Sequence, residues 1–111
     1  DRKKDIIIRG GENIAASEVE AALYAHPLVA EASVFGLPDP RMGEVPVAVF
    51  LPREGADLSG DELRGHLEKH LAPFKIPVRF WRESASLPRL GTEKVDKRAL
   101  RARYFAEWAG Q

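Results

Sequence analysis

Lys94 is the residue in this chain best suited to chemistry. It lies in Leu87-Pro-Arg-Leu-Gly-Thr-Glu-Lys-Val-Asp-Lys97, a polar loop with Pro88, Gly91 and Thr92 that runs into a basic segment. A lysine ammonium is a compact point charge on a flexible stem. It suits a phosphoryl or acyl centre, where it meets negative charge as that charge develops, in a site closed to water. A solvated lysine ahead of a basic helix is the competing reading. Arg79, Arg82 and Arg89 carry guanidinium groups of the kind that bind phosphate through paired hydrogen bonds, although surface solubility accounts for each equally well. His66 and His70 have the spacing of two metal ligands on one helix face, with Glu62 a turn earlier. A third strong ligand is missing, so the pair reads as a polar helix flank and no metal site is expected.

The elements that must position these groups are read from local pattern. The β-branched run Ile6-Ile7-Ile8 predicts a strand. Gly10-Gly11 turns it, and Asn13-Ile14 returns as a second arm, giving an N-terminal hairpin. A helix is expected from Ser17. Ser17 and Glu20 have capping-box spacing, Glu18 and Glu20 read as capping and solvent residues, and Pro27 after His26 ends the helix. Residues 29–35 read as a strand and residues 36–43 as a turn-rich connection. Val45, Val47, Val49 and Leu51 alternate along the next strand, with Pro46 suggesting that its start lies at an edge or outside the ladder. Ser59 and Glu62 repeat the capping-box pattern ahead of Leu63, Leu67 and Leu71, and Pro73 stops that helix. Residues 78–81 form a further strand, with Phe80 and Trp81 packing in the core or at an interface. Val95 adds a short strand, and residues 97–105 form a last helix with Leu100 and Tyr104 on one side. The order predicts an α+β domain: a small mixed or antiparallel sheet with flanking helices and the N-terminal β-hairpin.

With 111 residues the chain is one domain, able to bury a core without staples. It has no cysteine, which removes disulfides and thiolate metal sites and fits a cytoplasmic setting. No apolar run reaches the length of a membrane span, about 18 residues. Net charge is zero but unevenly placed: residues 10–74 hold 4 basic and 11 acidic side chains, residues 75–111 hold 9 and 4. The basic end suits a phosphate-bearing ligand or a solvated helix face. It lacks a nucleic-acid-binding module, so no nucleic-acid partner is expected.

Two end motifs carry a resemblance. Asp1-Arg-Lys-Lys-Asp-Ile-Ile-Ile-Arg-Gly-Gly-Glu-Asn-Ile14 and the Lys94 loop together resemble the C-terminal domain of the adenylate-forming acyl-CoA synthetase superfamily, which includes acyl-CoA ligases, peptide-synthetase adenylation domains and luciferase. Pro27-Leu-Val, Glu31-Ala-Ser-Val, Gly36-Leu-Pro-Asp39 and Gly43-Glu-Val-Pro-Val extend the likeness through the middle. The whole of 1–111 is then expected to be the mobile C-terminal lid of a longer enzyme, a fragment opening abruptly at Asp1, with the N-terminal adenylation domain as its partner.

The resemblance implies a reaction in two steps. A carboxylic acid and ATP with Mg give an acyl-adenylate and pyrophosphate, and the thiol of CoA then displaces AMP. It implies that Lys94 bridges the acid carboxylate and the ATP α-phosphate, that Arg2 contacts the nucleotide, and that Lys4 is the hinge about which the domain rotates. It implies that the Gly10-Gly11 loop then lines the CoA pantetheine tunnel, Gly11 being the better candidate for close approach. Arg79, Arg82 and Arg89 become candidates for CoA phosphates. The Gly-Gly-Glu-Asn-Ile form is similar to the acyl-CoA ligases more than to peptide-synthetase lids; that lid and a non-catalytic α+β binding module are the alternatives. The family pattern usually has glycine immediately before the lysine, where this chain has Glu93, in a Thr-Glu-Lys form that some acyl-CoA ligases share. Lys94 is also a candidate for reversible acetylation, which would remove its charge. Acid selectivity belongs to the larger domain.

Overall fold

Strand β4 (Gly43–Pro52) organises the molecule, a computed structural model that describes residues 5–110. One edge of β4 pairs antiparallel with β3 (Val29–Asp39), from Val29 opposite Pro52 to Asp39 opposite Gly43. The other edge meets two strands. Its first residue, Gly43, pairs with Arg9 of β1 (Ile6–Arg9), and Val47 to Phe50 run parallel to β5 (Arg79–Arg82). β1 forms a hairpin with β2 (Glu12–Ala15). The result is a five-stranded sheet, antiparallel except at β4–β5.

Both sheet faces are covered, which is why β4 is buried at every position from Val45 to Phe50. Side chains alternate between faces along a strand. Ala32, Val34, Ala48 and Phe50 therefore share one core with Val19 and Leu23 of helix α1 (Ala16–Tyr24) and Leu63 and Leu67 of α2 (Gly60–Glu68). Phe35, Leu37, Val47 and Val49 share the other with Trp81, Leu87 and Leu100, the last from α3 (Lys97–Ala109). This is a small α+β domain, as expected.

Several local expectations are corrected. β3 continues through residues 36–39, because each pairs with β4; the turn is residues 40–42, held by Asp39 Oδ2, which accepts from the N–H of Arg41 at 3.0 Å and of Met42 at 2.8 Å. Pro46 is inside the β3–β4 ladder, on the stretch of β4 between its β1 and β5 neighbours, and its carbonyl accepts from Val78 N at 2.9 Å. α1 starts at Ala16 with no side-chain cap, because β2 runs straight into it and the Ala16 N–H is taken by the Asp5 carbonyl at 2.9 Å. The Ser59 capping box does form: Ser59 Oγ accepts from Glu62 N at 3.1 Å and Glu62 Oε1 accepts from Ser59 N at 2.9 Å. That helix ends at Glu68, short of Leu71, and α3 extends past residue 105 to Ala109.

His66 and His70 do flank α2, but His26 joins them. The His66 ring centroid is 5.0 Å from that of His26 and 4.8 Å from that of His70. His66 Nε2 donates to the Ala22 carbonyl at 2.8 Å, and His26 Nδ1 accepts from Leu28 N at 3.1 Å. Burial, then the neighbouring His66, hold His26 below its usual value of 6.5, against an opposing pull from Glu62. The folded chain thus binds this proton less readily than the unfolded chain, so the stability involved is complete above pH 6.5 and is lost as pH falls below it. The thermal midpoint should drop between pH 7 and about pH 5.5, above the range where carboxylates titrate. His26→Gln should flatten that slope; an unchanged slope would remove His26 from the effect.

Candidate functional site

The Lys94 loop is fixed at its base and exposed at its tip. Arg89 and Val95 form an antiparallel bridge. Leu90 N donates to the Lys94 carbonyl at 2.8 Å, Glu93 N to the Leu90 carbonyl at 3.0 Å, and Asp96 N to the Pro88 carbonyl at 2.8 Å. Buried Leu87 anchors the loop on one side and buried Leu100 on the other. Asp96 caps α3, its Oδ1 accepting from Ala99 N at 3.1 Å. Lys94 itself is exposed.

Glu31 of β3 pins the approach to the loop. Its carboxylate accepts from Ser86 Oγ at 2.6 Å and Leu87 N at 2.9 Å and pairs with Arg89 at 3.1 Å. Burial alone would raise its pKa, but these hydrogen bonds and the arginine charge outweigh it and hold the carboxyl below its usual range. Arg89 also donates to the Glu93 carbonyl at 2.9 Å, so it braces the loop from inside.

Glu93 has φ +70°, and it is the only non-glycine residue with positive φ among those described. The resemblance set out above expects glycine at this position in most members. An L-residue there costs about 1–2 kcal/mol, and glycine gives back about 0.5–1 through its unfolded-state entropy. Glu93→Gly should therefore stabilise the chain by about 0.5–1 kcal/mol, read as a rise in thermal midpoint of a few degrees. A fall would mean that the glutamate side chain contributes more than the backbone strain removes.

An open groove of about 690 Å³ lies beside the loop, lined by Leu90, Lys94 and Val95 and, from other elements, by Asp5, Tyr24 and Lys97. Lys97 Nζ is 3.1 Å from Asp5 Oδ2 and 2.8 Å from Glu20 Oε2. Glu20 also accepts from Val34 N at 2.8 Å. It is thus neither a helix cap nor a solvent residue, which corrects the expectation. Glu18 faces outward and pairs with Lys75 at 2.9 Å.

The Gly10-Gly11 turn is at the other end of β1, roughly 16 Å along the strand from Asp5 at the usual rise per residue. Both glycines have positive φ, +56° and +88°, as a two-residue hairpin turn requires. Gly10 N donates to the Met42 carbonyl at 2.7 Å, and a Cβ on Gly10 would come within 2.8 Å of Met42 Cε. A Cβ on Gly11 would meet nothing within 4 Å. Gly10 is therefore favoured by the turn, its Cβ meeting only the movable end of Met42, while Gly11 faces open space.

The three candidate arginines take separate partners. Arg79 pairs with Glu107 of α3 at 3.0 Å and lies over the Trp81 ring, Arg82 is exposed near the Ala56 carbonyl at 3.5 Å, and Arg89 belongs to the lysine loop. Arg79 does share a hollow of about 500 Å³ with Arg9, Arg41 and Met42, beside the glycine turn. No sequence pattern joins Arg9, Arg41 and Arg79; the β1–β4 and β4–β5 pairings do. α3 is held on β5 by Trp81 stacked on Tyr104 with centroids 4.4 Å apart, and by Glu83, which accepts from the Tyr104 hydroxyl and pairs with Arg103 at 3.0 Å. Burial and the Glu83 carboxylate push Tyr104 up to about 12, so it remains a donor. Among the described residues no group of three His, Cys, Asp or Glu could hold a metal, and no helix is long and apolar enough to cross a membrane. The expected contacts of Arg2 and Lys4 lie outside the described residues.

The five-stranded sheet with helices on both faces is the fold of a C-terminal domain of adenylate-forming enzymes. Residues 18–94 match the model of the AMP-binding enzyme C-terminal domain family, and the chain belongs to that family. It is 46% identical over 106 residues to feruloyl-CoA synthase of an Amycolatopsis species, covering 94% of this chain and 21% of that protein. A fatty acyl CoA synthetase of Mycobacterium tuberculosis has the same fold with a TM-score of 0.87 at 36% identity, over 96% of this chain and 21% of that one. The amide bond synthetase McbA from Marinactinospora thermotolerans is similar too, with a TM-score of 0.86 at 36% identity over 94% of this chain and 21% of that one. The chain thus spans about a fifth of the length of the relatives it matches.

Proposed function

We propose that this domain serves an ATP-dependent acyl-CoA ligase, working against a larger N-terminal domain that binds ATP and the carboxylic acid in the cytoplasm. The observation that carries the reading is the likeness to feruloyl-CoA synthase at 46% over nearly the whole chain. In the first step Lys94 reaches from its pinned loop and balances charge between the acid carboxylate and the ATP α-phosphate, with Arg2 on the nucleotide. Mg would enter with ATP, on the larger domain.

In the second step the domain rotates about Lys4 and presents the Gly10-Gly11 loop to the pantetheine arm of CoA. Gly11 leaves room for that arm. Arg79, with Arg9 and Arg41 in the neighbouring hollow, meets the CoA phosphates. Arg82 and Arg89 remain further candidates for the same role, Arg89 only by giving up its brace on the loop. One nucleotide site thereby serves two half-reactions, each with its own face of this domain.

The likeness to an amide bond synthetase keeps an amine acceptor as a second reading. The test uses the full-length protein with a panel of aryl, fatty and short carboxylic acids. Acid-dependent ATP–pyrophosphate exchange followed by CoA consumption supports the ligase. Exchange with amide formation from added amine and no thioester would favour the second reading. No exchange with any acid would overturn both.

A further inference from the structure

We propose that Lys97 is a positioning residue that ties the lysine loop to the hinge side of the domain through Asp5 and Glu20. The inference rests on the ligase reading above.

The contacts join three elements that are remote in sequence. Asp5 is the residue that follows the proposed hinge, Lys4, and leads into β1. Glu20 is on α1, and Lys97 is the first residue of α3, three residues beyond Lys94. Lys97 Nζ lies between the two carboxylates at 3.1 and 2.8 Å, and all three side chains are largely sheltered, at 24%, 25% and 19% exposure. Both carboxylate-bearing residues are fixed independently. Glu20 accepts from Val34 N at 2.8 Å, and the Asp5 carbonyl accepts from Ala16 N at 2.9 Å. The ammonium is therefore set in a frame that is already built.

Helix energetics do not explain a cation at this position. The N-terminal turn of a helix favours acidic side chains and disfavours basic ones. α3 nevertheless opens with Lys97-Arg98 and has no acidic residue in its first turn. Its N-terminus is served by the Asp96 cap instead. Helix stability alone would place a glutamate where Lys97 stands. The contact with Asp5 and Glu20 supplies the reason for the lysine.

The bridge and the Glu31 contacts fix the shape of the loop. Lys97 adds a link between the loop and the chain leaving the hinge, across 92 positions of sequence. A rotation about Lys4 is then carried by Asp5 directly to the residue next to the loop, and Lys94 arrives at the adenylation site in register. The glycine turn, at the far end of β1, does not depend on it.

The test uses the full-length enzyme and four variants: Lys97→Met, Lys97→Arg, Asp5→Asn and Lys94→Ala. Pyrophosphate exchange reads the first half-reaction, and thioester formation from supplied acyl-adenylate reads the second. Lys97→Met should lower kcat for exchange about 10–100-fold with KM for ATP unchanged, the scale of a small misplacement of a reacting group. Thioester formation should stay within about twofold, and Lys97→Arg, which keeps both ion pairs, should restore most of the exchange. Asp5→Asn should show the same split in milder form. Equal losses in both half-reactions with a lowered thermal midpoint would overturn the proposal in favour of a merely structural ion pair. So would normal exchange in Lys97→Met beside lost exchange in Lys94→Ala, which leaves the ligase reading intact. Normal exchange in Lys94→Ala would remove Lys94 from the chemistry and overturn this proposal with it, while the ligase reading would fall only if the wild type showed no exchange with any acid.

Discussion

Lys94→Ala in the full-length enzyme should lower acid-dependent ATP–pyrophosphate exchange by about 10²–10³-fold, the usual loss on removing one preorganised donor from a transition state. The reasoning starts from the loop. Lys94 is exposed, but the backbone under it is held by the Arg89–Val95 bridge and by hydrogen bonds at 2.8 and 3.0 Å. The charge can therefore be delivered without the loop having to order at the moment of reaction. Truncation should cost little stability, because no buried side chain is removed. The thermal midpoint should stay within a degree or two of wild type, and thioester formation from supplied adenylate should be largely kept. Normal exchange in this variant would move the catalytic charge elsewhere while leaving the family membership untouched.

The complementary variant is Gly11→Leu, where the expected effect falls on the other half-reaction. Thioester formation from supplied adenylate should drop about 10²-fold, as for misplacement or blockage of a reacting arm. Pyrophosphate exchange should change only a few-fold. A Cβ at Gly11 meets no protein atom within 4 Å, so the leucine starts out into open space rather than into the core. The backbone at φ +88° adds about 1–2 kcal/mol of strain, which a thermal scan would show. Gly10→Ala is the contrasting control. Its Cβ would come within 2.8 Å of Met42 Cε, the far end of a flexible side chain that can turn away, so the cost is chiefly the backbone strain at φ +56° and thioester formation should fall far less than in Gly11→Leu. Intact thioester formation in Gly11→Leu would reduce the glycine pair to a turn and nothing more.

The pattern of agreement between sequence and structure has a physical cause. The hairpin, its glycine turn and the Ser59 capping box were legible because each depends on a few consecutive residues. A β-branched run favours extended backbone, adjacent glycines accept positive φ, and a hydroxyl three residues ahead of a carboxylate closes on itself. Ser17 and Glu20 have the same spelling as Ser59 and Glu62, yet they form no box. Asp5 already satisfies the first helical N–H, and Val34 and Lys97 claim the Glu20 carboxylate. Residues 36–39 look like a turn in sequence and form strand, because β4 offers a partner at each position. Glu31 gave no local signal as a member of the site, and nothing local to Glu20 or Lys97 pointed to the contact between them.

By itself, then, the sequence determined the class of domain, the hairpin and capping motifs, and the lysine loop with its exposed cation. The hairpin and capping motifs follow from intrinsic backbone preference, which acts over a few residues, while the class of domain and the role of the lysine loop were read from the resemblance of the two end motifs. The tertiary structure alone decided that Glu31 pins the loop, that Arg9, Arg41 and Arg79 share a hollow, and that Lys97 meets Asp5 from 92 positions away. Those contacts follow from strand order and helix docking, and topology of that kind leaves no periodic trace in the residues it brings together.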